Sequence, residues 1–267
     1  MGLGAGSVIS QIRPPAVAFS FYPGDPGELA KMIEGFLRDA KETKIDGRLR
    51  ALVVPHAGYV YSGPVAGYGY KLLAKCKGKI DKVIILGPSH YAGFYGACES
   101  GHEFWQTPLG KVKTFTTLNS SIGTYPEAHE PEHCIEVQVP FIQMVLGNEV
   151  KIRPILCGQI DPAKLAKELV GEIDEQTLVI ASSDLSHYKF YDEAKKIDAK
   201  ANESIPKLDI EKFEAVGDAC GKMPILVLMN IAKEKKWKGK FLDYRNSGDT
   251  YGPKSRVVGY GCYAFYE

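Results

Sequence analysis

Three stretches of the chain are uniformly apolar and rich in β-branched side chains: Leu52-Val53-Val54, Val83-Ile84-Ile85-Leu86 and Leu178-Val179-Ile180-Ala181. Runs of this kind, without alternation, predict strands buried on both faces. Helical spacing of Leu29, Met32, Ile33, Phe36 and Leu37, with Asp25 as N-cap and Pro26 at N1, predicts a helix to about residue 41, after a strand-and-turn segment at 14–24. Strand 51–54, a Gly/Tyr-rich turn at 57–63, a helix over 64–75 and strand 82–86 follow. Residues 91–130 read as irregular, with short antiparallel strands or a lid. The pattern then predicts helix 132–146, strand 151–156, helix 162–170, strand 177–181, helices near 192–204, 209–216 and 221–234, and strands 240–246 and 256–266. Alternation of strand and helix over residues 1–267, with no repeat or linker, predicts a single-domain three-layer helix–sheet–helix α/β sandwich with a mostly parallel or mixed central sheet.

Each of the three buried runs stops at a polar segment that carries a histidine. These are Pro55-His56-Ala57-Gly58-Tyr59, Gly87-Pro88-Ser89-His90-Tyr91 and Ser182-Ser183-Asp184-Leu185-Ser186-His187. Ligands of open α/β sheets bind beyond the carboxyl ends of the strands. Neighbouring parallel strands would therefore gather these imidazoles, which serve as metal ligands or proton carriers. His56 and His90, one strand–helix–strand unit apart, are candidate metal ligands, against the blander role of capping loops by ring hydrogen bonds. Asp184 beside His187 suits a general acid or base, against an Asp N-cap with an exposed histidine beyond it. His133 and Glu136 sit i, i+3 at an apparent helix start and are assigned to the pocket or to support of the ligands, against a plain surface pair. Tyr59 and Ser89 are further pocket candidates. In the turn cluster Asn246-Ser247-Gly248-Asp249-Thr250, Asp249 offers an oxygen ligand; two histidines and a carboxylate form the facial set of non-haem iron(II) sites.

Composition removes several other classes. Lys and Arg total 33 against 32 Asp and Glu, a net charge of +1, so nothing advertises nucleic acid or a membrane surface. No apolar run approaches a bilayer span. Six dispersed cysteines without a C-x-x-C pair suggest free thiols in a reducing cytoplasm, and Met1–Ser7 lacks the pattern of a secretory leader. Walker A, G-x-G-x-x-G, H-E-x-x-H and G-x-S-x-G motifs are absent from the sequence.

The ordered set Arg13-Pro14-Pro15-Ala16-Val17-Ala18, Phe21-Tyr22-Pro23, Pro55-His56-Ala57-Gly58-Tyr59, Leu86-Gly87-Pro88-Ser89-His90, Glu132-His133-Cys134-Ile135-Glu136 and Ser182-Ser183-Asp184-Leu185-Ser186-His187 resembles the Memo family nearly end to end. The ending, with Asn246-Ser247-Gly248-Asp249 and Arg256-Val257-Val258-Gly259-Tyr260, looks like its archaeal and bacterial branch, whose members often accompany a radical-SAM protein. The family fold is similar to class III extradiol dioxygenases of the LigB type. That likeness implies a non-haem iron(II) site on His56 and His90 with His187 as acid–base group; copper or zinc are the other metals it admits. The animal member uses a cysteine as third ligand, where this chain has Thr250 with Asp249 beside it. Threonine is a poor ligand, and loss of a soft thiolate lowers the expected preference for copper. Three functions follow as expectations: a metal-dependent oxidoreductase, a module binding a peptide or partner in the same pocket, and a metal-assisted hydrolase. The animal member's described role in binding phosphotyrosine peptides supports the second; the lack of an Arg cluster beside the site weakens it.

Overall fold

The computed structural model describes residues 11–117 and 120–267; Met1–Ser7, read above for a leader, lie outside them. In chain order the elements are β1 (Ile12–Arg13), α1 (Pro26–Asp39), β2 (Leu49–Val54), α2 (Tyr59–Ala74), β3 (Lys82–Pro88), β4 (Ala97–Glu99), β5 (Phe104–Thr107), β6 (Gly110–Thr114), β7 (Gly123–Thr124), α3 (Pro126–His129), α4 (Val139–Leu146), β8 (Lys151–Cys157), α5 (Pro162–Val170), β9 (Thr177–Ser182), β10 (His187–Lys189), α6 (Tyr191–Ser204), α7 (Ile210–Val216), α8 (Lys222–Glu234), β11 (Lys238–Asn246), α9 (Ser247–Thr250) and β12 (Val257–Tyr266). A single 3-10 turn, Glu136–Gln138, precedes α4.

The strands form one mixed sheet in the order β1-β5-β6-β8-β3-β9-β2-β12-β10, with β11 also on β12 and β4 on β8. Its centre, β8-β3-β9-β2, is parallel, and β12 closes against β2 antiparallel. The three runs that end in histidine segments are thus neighbours, with β9 lying between β2 and β3. His56 and His90 sit beyond strands that are not adjacent, because the crossover from β2 leaves a gap that β9 fills.

Successive residues of a strand face opposite ways, and the two cores divide accordingly. Leu52, Val54, Val83, Ile85, Leu178 and Ile180 pack on α1, α2 and α4. Ala51, Val53, Ile84, Leu86, Val179 and Ala181 pack on α5, α7 and α8. Both faces being covered explains the absence of alternation in these runs, and the three-layer sandwich follows.

Helix α2 starts five residues earlier than the sequence pattern suggests, at Tyr59, and carries Pro64 inside it. Gly63 explains why: a Cβ there would lie 2.3 Å from the Phe36 ring, so this glycine, like Gly67 one turn on, permits close packing against α1 and does not mark a turn. The expected helix 132–146 begins as a turn, since Pro140 and the 3-10 turn delay α4 to Val139. Four short strands occupy the 91–130 region: β5 and β6 form the antiparallel pair the pattern anticipates, whereas β4 and β7 pair parallel. No helix among the described residues is long and apolar enough to cross a membrane.

Candidate metal centre

Beyond the carboxyl ends of β2, β3 and β9 a cleft of about 690 Å³ opens, lined among others by His56, His90, His133, Asp184 and His187. A cavity of the same size at the other end of β2, around Ile45, Leu49, Leu72 and Ile80, has no histidine in its lining. Strand β9 sets the spacing at the cleft floor. Ser183 N–H donates to Val54 O at 2.9 Å, and Asp184 Oδ1 accepts from the His56 backbone N–H at 2.7 Å.

Hydrogen bonds fix the tautomers of two rings. Ser182 Oγ donates its proton to Cys134 O (2.6 Å) and accepts from Gln138 Nε2 (2.8 Å). Its contact with His56 Nδ1 at 3.1 Å must then be an accepted one, leaving a lone pair on Nε2. His90 Nδ1 lies 2.9 Å from Glu132 Oε1. Burial disfavours charge on Glu132, but hydrogen bonds from the His90 ring and backbone and from Cys134 N–H outweigh it and bring the carboxyl down to about 2. The carboxylate accepts, so His90 also presents Nε2. A carboxylate behind an imidazole is the usual support for a metal-bound histidine.

His133 stacks on His90 with ring centroids 4.7 Å apart, and both stand edge-on to His56 at 5.3 and 5.5 Å. Burial holds His56 neutral, with its pKa down at about 3. Burial, and then the neighbouring His56, holds His133 at about 4. His133 Nδ1 is buried without a hydrogen-bond partner, although Glu132 Oε1 is 3.2 Å away. One ring nitrogen from each of His56, His90 and His133 falls within a group no wider than 4.8 Å. Ring nitrogens gathered at one point, one of them without a hydrogen-bond partner, are the donor chemistry of a transition-metal site.

Asp249 is not in this group. Asn246 and Asp249 form a capping box on α9, in which Asp249 Oδ2 accepts from Asn246 N–H at 3.0 Å, and Oδ1 accepts from Tyr191 Oη at 2.5 Å. Asp249 is held in this cap and does not line the cleft, and the third member of the group is His133, not Asp249. Three pocket candidates also lie elsewhere. Glu136 is fully buried and clamped by Arg13 (2.6 Å), Tyr22 Oη and the backbone of Ala16 and Val17. Tyr59 is buried against Tyr22 and Phe141 with its hydroxyl on Val137 O. Ser89 turns to Ala92 O and lines a neighbouring cavity.

His187 lines the cleft, but Asp184 does not orient it. Its Nδ1 donates to Leu185 O at 2.8 Å, which leaves Nε2 free. The Asp184 carboxylate instead receives the backbone N–H groups of His56 and Ala57, and its burial raises its pKa. The sequence pattern also passed over Cys220, whose Sγ lies 3.1 Å from His56 Nε2. It passed over Glu132 as the partner of the His90 ring as well. Cys220 directly precedes α8 at a Gly, which is a local signal, but nothing local ties it to residue 56.

The fold and the cleft define a single-domain α/β sandwich with a histidine-rich candidate metal centre at the carboxyl edge of its parallel strands. The profile of the Memo-like protein family matches residues 13–264. A MEMO1 family protein of Methanopyrus kandleri is 38% identical over 283 aligned positions, covering 95% of this chain and 98% of its own. One of Sulfolobus acidocaldarius is 40% identical over 278, covering 93% and 97%. The chain belongs to the Memo family. A solved structure of an uncharacterized Escherichia coli protein aligns over 80% of this chain and 99% of its own with a TM-score of 0.42 at 10% identity, a likeness too remote to bear on function.

Proposed function

We propose that the cleft is the active site of a metal-dependent oxidoreductase acting on a small molecule. In this reading His56, His90 and His133 hold an iron(II) ion and His187 moves a proton. The observation that carries the proposal is the gathering of three imidazole nitrogens within 4.8 Å of one another beside a fourth histidine in the same cleft. Iron is preferred on the likeness of the family to extradiol dioxygenases, since the donors alone suit iron, copper and zinc. Such an ion supplies the redox chemistry for joining O₂ to an organic substrate.

The chain's own residues do the rest. Glu132 holds the His90 ring and offsets the positive charge of the centre. His187, with its Nδ1 proton held on Leu185 O, receives or returns a proton at Nε2. Tyr61, Tyr188 and Phe21 wall the cleft, and Arg256, stacked 5.1 Å over the Tyr188 ring, offers charge to an anionic substrate group. The cleft volume falls within the range of small-molecule sites, roughly 300–1,000 Å³.

Metal analysis after anaerobic purification tests the centre. Near-stoichiometric iron in the wild type, absent from His56→Ala/His90→Ala, is expected. His187→Ala is expected to keep the metal and lose O₂ uptake with catechol-like substrates. A second reading has a specific observation behind it. With Asp249 held in its cap away from the cleft, the donors are three imidazoles, the set of zinc hydration catalysts, and turnover without O₂ would favour a hydrolase. Metal in neither protein, even after reconstitution with iron(II), would shift the assignment to a peptide-binding cleft.

A further inference from the structure

We propose that the cavity at the other end of β2 is a second binding site, which takes a small amphiphilic anion: a carboxylate carried on an extended apolar chain. The proposal is independent of the metal reading. The cavity holds about 690 Å³, within the range of small-molecule sites, and lies between the connection from α1 to β2 and the end of α2. Leu49, Leu72 and Ile80 give it a buried apolar floor, with Ile45 half-buried beside them. Lys44, Arg48, Lys75 and Lys79 stand around that floor against one acid, Asp46. The chain as a whole carries a charge of +1, so this is a local excess of cations next to an apolar surface. Lys75 pairs with Glu42, and Arg48 with Glu175 at 3.3 Å; such exposed pairs contribute little and exchange readily for another anion. Lys44 and Lys79 have no carboxylate partner among the described residues.

Cations at the end of a helix commonly serve its unsatisfied carbonyls. Here those carbonyls are already taken: Leu72 O, Leu73 O and Ala74 O accept from the N–H groups of Lys75, Cys76 and Lys77, and Cys76 O accepts from Lys79 and Ile80. Burial pushes the Cys76 thiol up, while Lys79 and Arg48 pull it down, so both cations act on one point of the lining. The opposite wall is fixed in place. Arg48 N–H donates to Glu267 O at 2.9 Å, Glu267 N–H donates to Arg48 O at 3.1 Å, and Lys240 Nζ donates to Lys44 O at 2.6 Å. Gly47, at φ 152°, lets the loop pass the end of β12, where a Cβ would lie 2.0 Å from Glu267 O. The cavity is therefore formed in advance, with an apolar floor for the chain and unpaired ammonium groups for the head.

Isothermal titration of the full chain with hexanoate, octanoate and decanoate tests this. Binding is expected to tighten about fourfold for each added methylene, the gain for burying one such group. Octanol, which lacks the charge, and inorganic phosphate, which lacks the chain, are expected to bind at least about tenfold more weakly than octanoate. Lys44→Glu/Lys79→Glu changes two exposed side chains and is expected to weaken decanoate at least about tenfold with its unfolding midpoint unchanged. Iodoacetamide labelling mapped by mass spectrometry locates the ligand. Decanoate is expected to slow the labelling of Cys76 and to leave that of Cys220, in the cleft, as it was. No binding, an affinity independent of chain length, or octanol or phosphate binding as tightly as octanoate would overturn the ligand class. Protection of Cys220 in place of Cys76, or an unchanged affinity in the charge-reversed variant, would overturn the site.

Discussion

Replacing Glu136 by Gln keeps its shape and removes its charge, which makes it a direct probe of the clamp beneath the cleft. Arg13 and Glu136 are both fully buried and 2.6 Å apart. Arg13 also donates to His129 O at 2.8 Å and Glu132 O at 2.6 Å, and it stacks 4.1 Å over Trp105. The Glu136 oxygens receive Arg13, Tyr22 Oη, Ala16 N–H and Val17 N–H. Every neighbour of the carboxylate is thus a donor, and an amide would turn its own N–H groups toward them. Removing one partner of a buried pair leaves the other charged and uncompensated, at a cost of about 3–5 kcal/mol. Against a domain stability of about 5–15 kcal/mol, that is a large fraction, equivalent to a melting point lower by roughly 10 °C in a chain of this size. Urea unfolding of Glu136→Gln, Arg13→Met and the double variant measures it, and the double is expected to cost less than the sum of the singles. A loss below about 1 kcal/mol with impaired metal binding would refute the structural role and return Glu136 to the pocket.

Further outcomes follow from other parts of the molecule. Metal is expected to stabilise the protein by about 2.7 kcal/mol at a hundredfold excess over Kd; a melting point that a chelator leaves unchanged would count against the centre. Burial lowers His56 and His129 to about 3 and His133 to about 4 from 6.5, so the unfolded chain takes up protons first as pH falls. Stability is therefore full above about pH 6.5 and declines below it, by about 1.4 kcal/mol per group for each pH unit down to the folded values. Equal urea midpoints at pH 7 and pH 5 would contradict this. Gly221→Ala forces a methyl into Ser183 and should cost about 1–3 kcal/mol; differential scanning calorimetry reads it, and an unchanged transition would show that α8 can move away.

The fold was legible because burial on both faces leaves a plain mark. Val83-Ile84-Ile85-Leu86 alternates between two cores, so every position must be apolar. Helix α2 was legible only in part, since Gly63 looks like a turn residue until the Phe36 ring is seen against it. At the centre, His56 and His90 were readable from their place beyond strands. Asp249 misled although its neighbourhood holds a correction: Asn246 followed three residues later by an acid is a capping pattern, and the cap consumes the carboxylate. The contact of Cys220 with His56 could not be read, because it joins residues 164 positions apart.

Strand β12 has a consequence for how such a chain can vary. Its start pairs with β10 at His187 and its end pairs with β2, which leads into His56. Leu185 N–H to Gly259 O and Gly259 N–H to Ser186 O tie the same strand to the backbone just before His187. His187 and the first of the clustered histidines are thus mounted on one ladder, and their separation is set by strand register, not by loop length. The loop from Tyr251 to Arg256 can lengthen or shorten without altering that distance. A single-residue slip within β12 would shift it by about 3.3 Å and turn the strand's side chains over. Tolerance to insertion should therefore change abruptly at Val257, where the loop ends and the ruler begins.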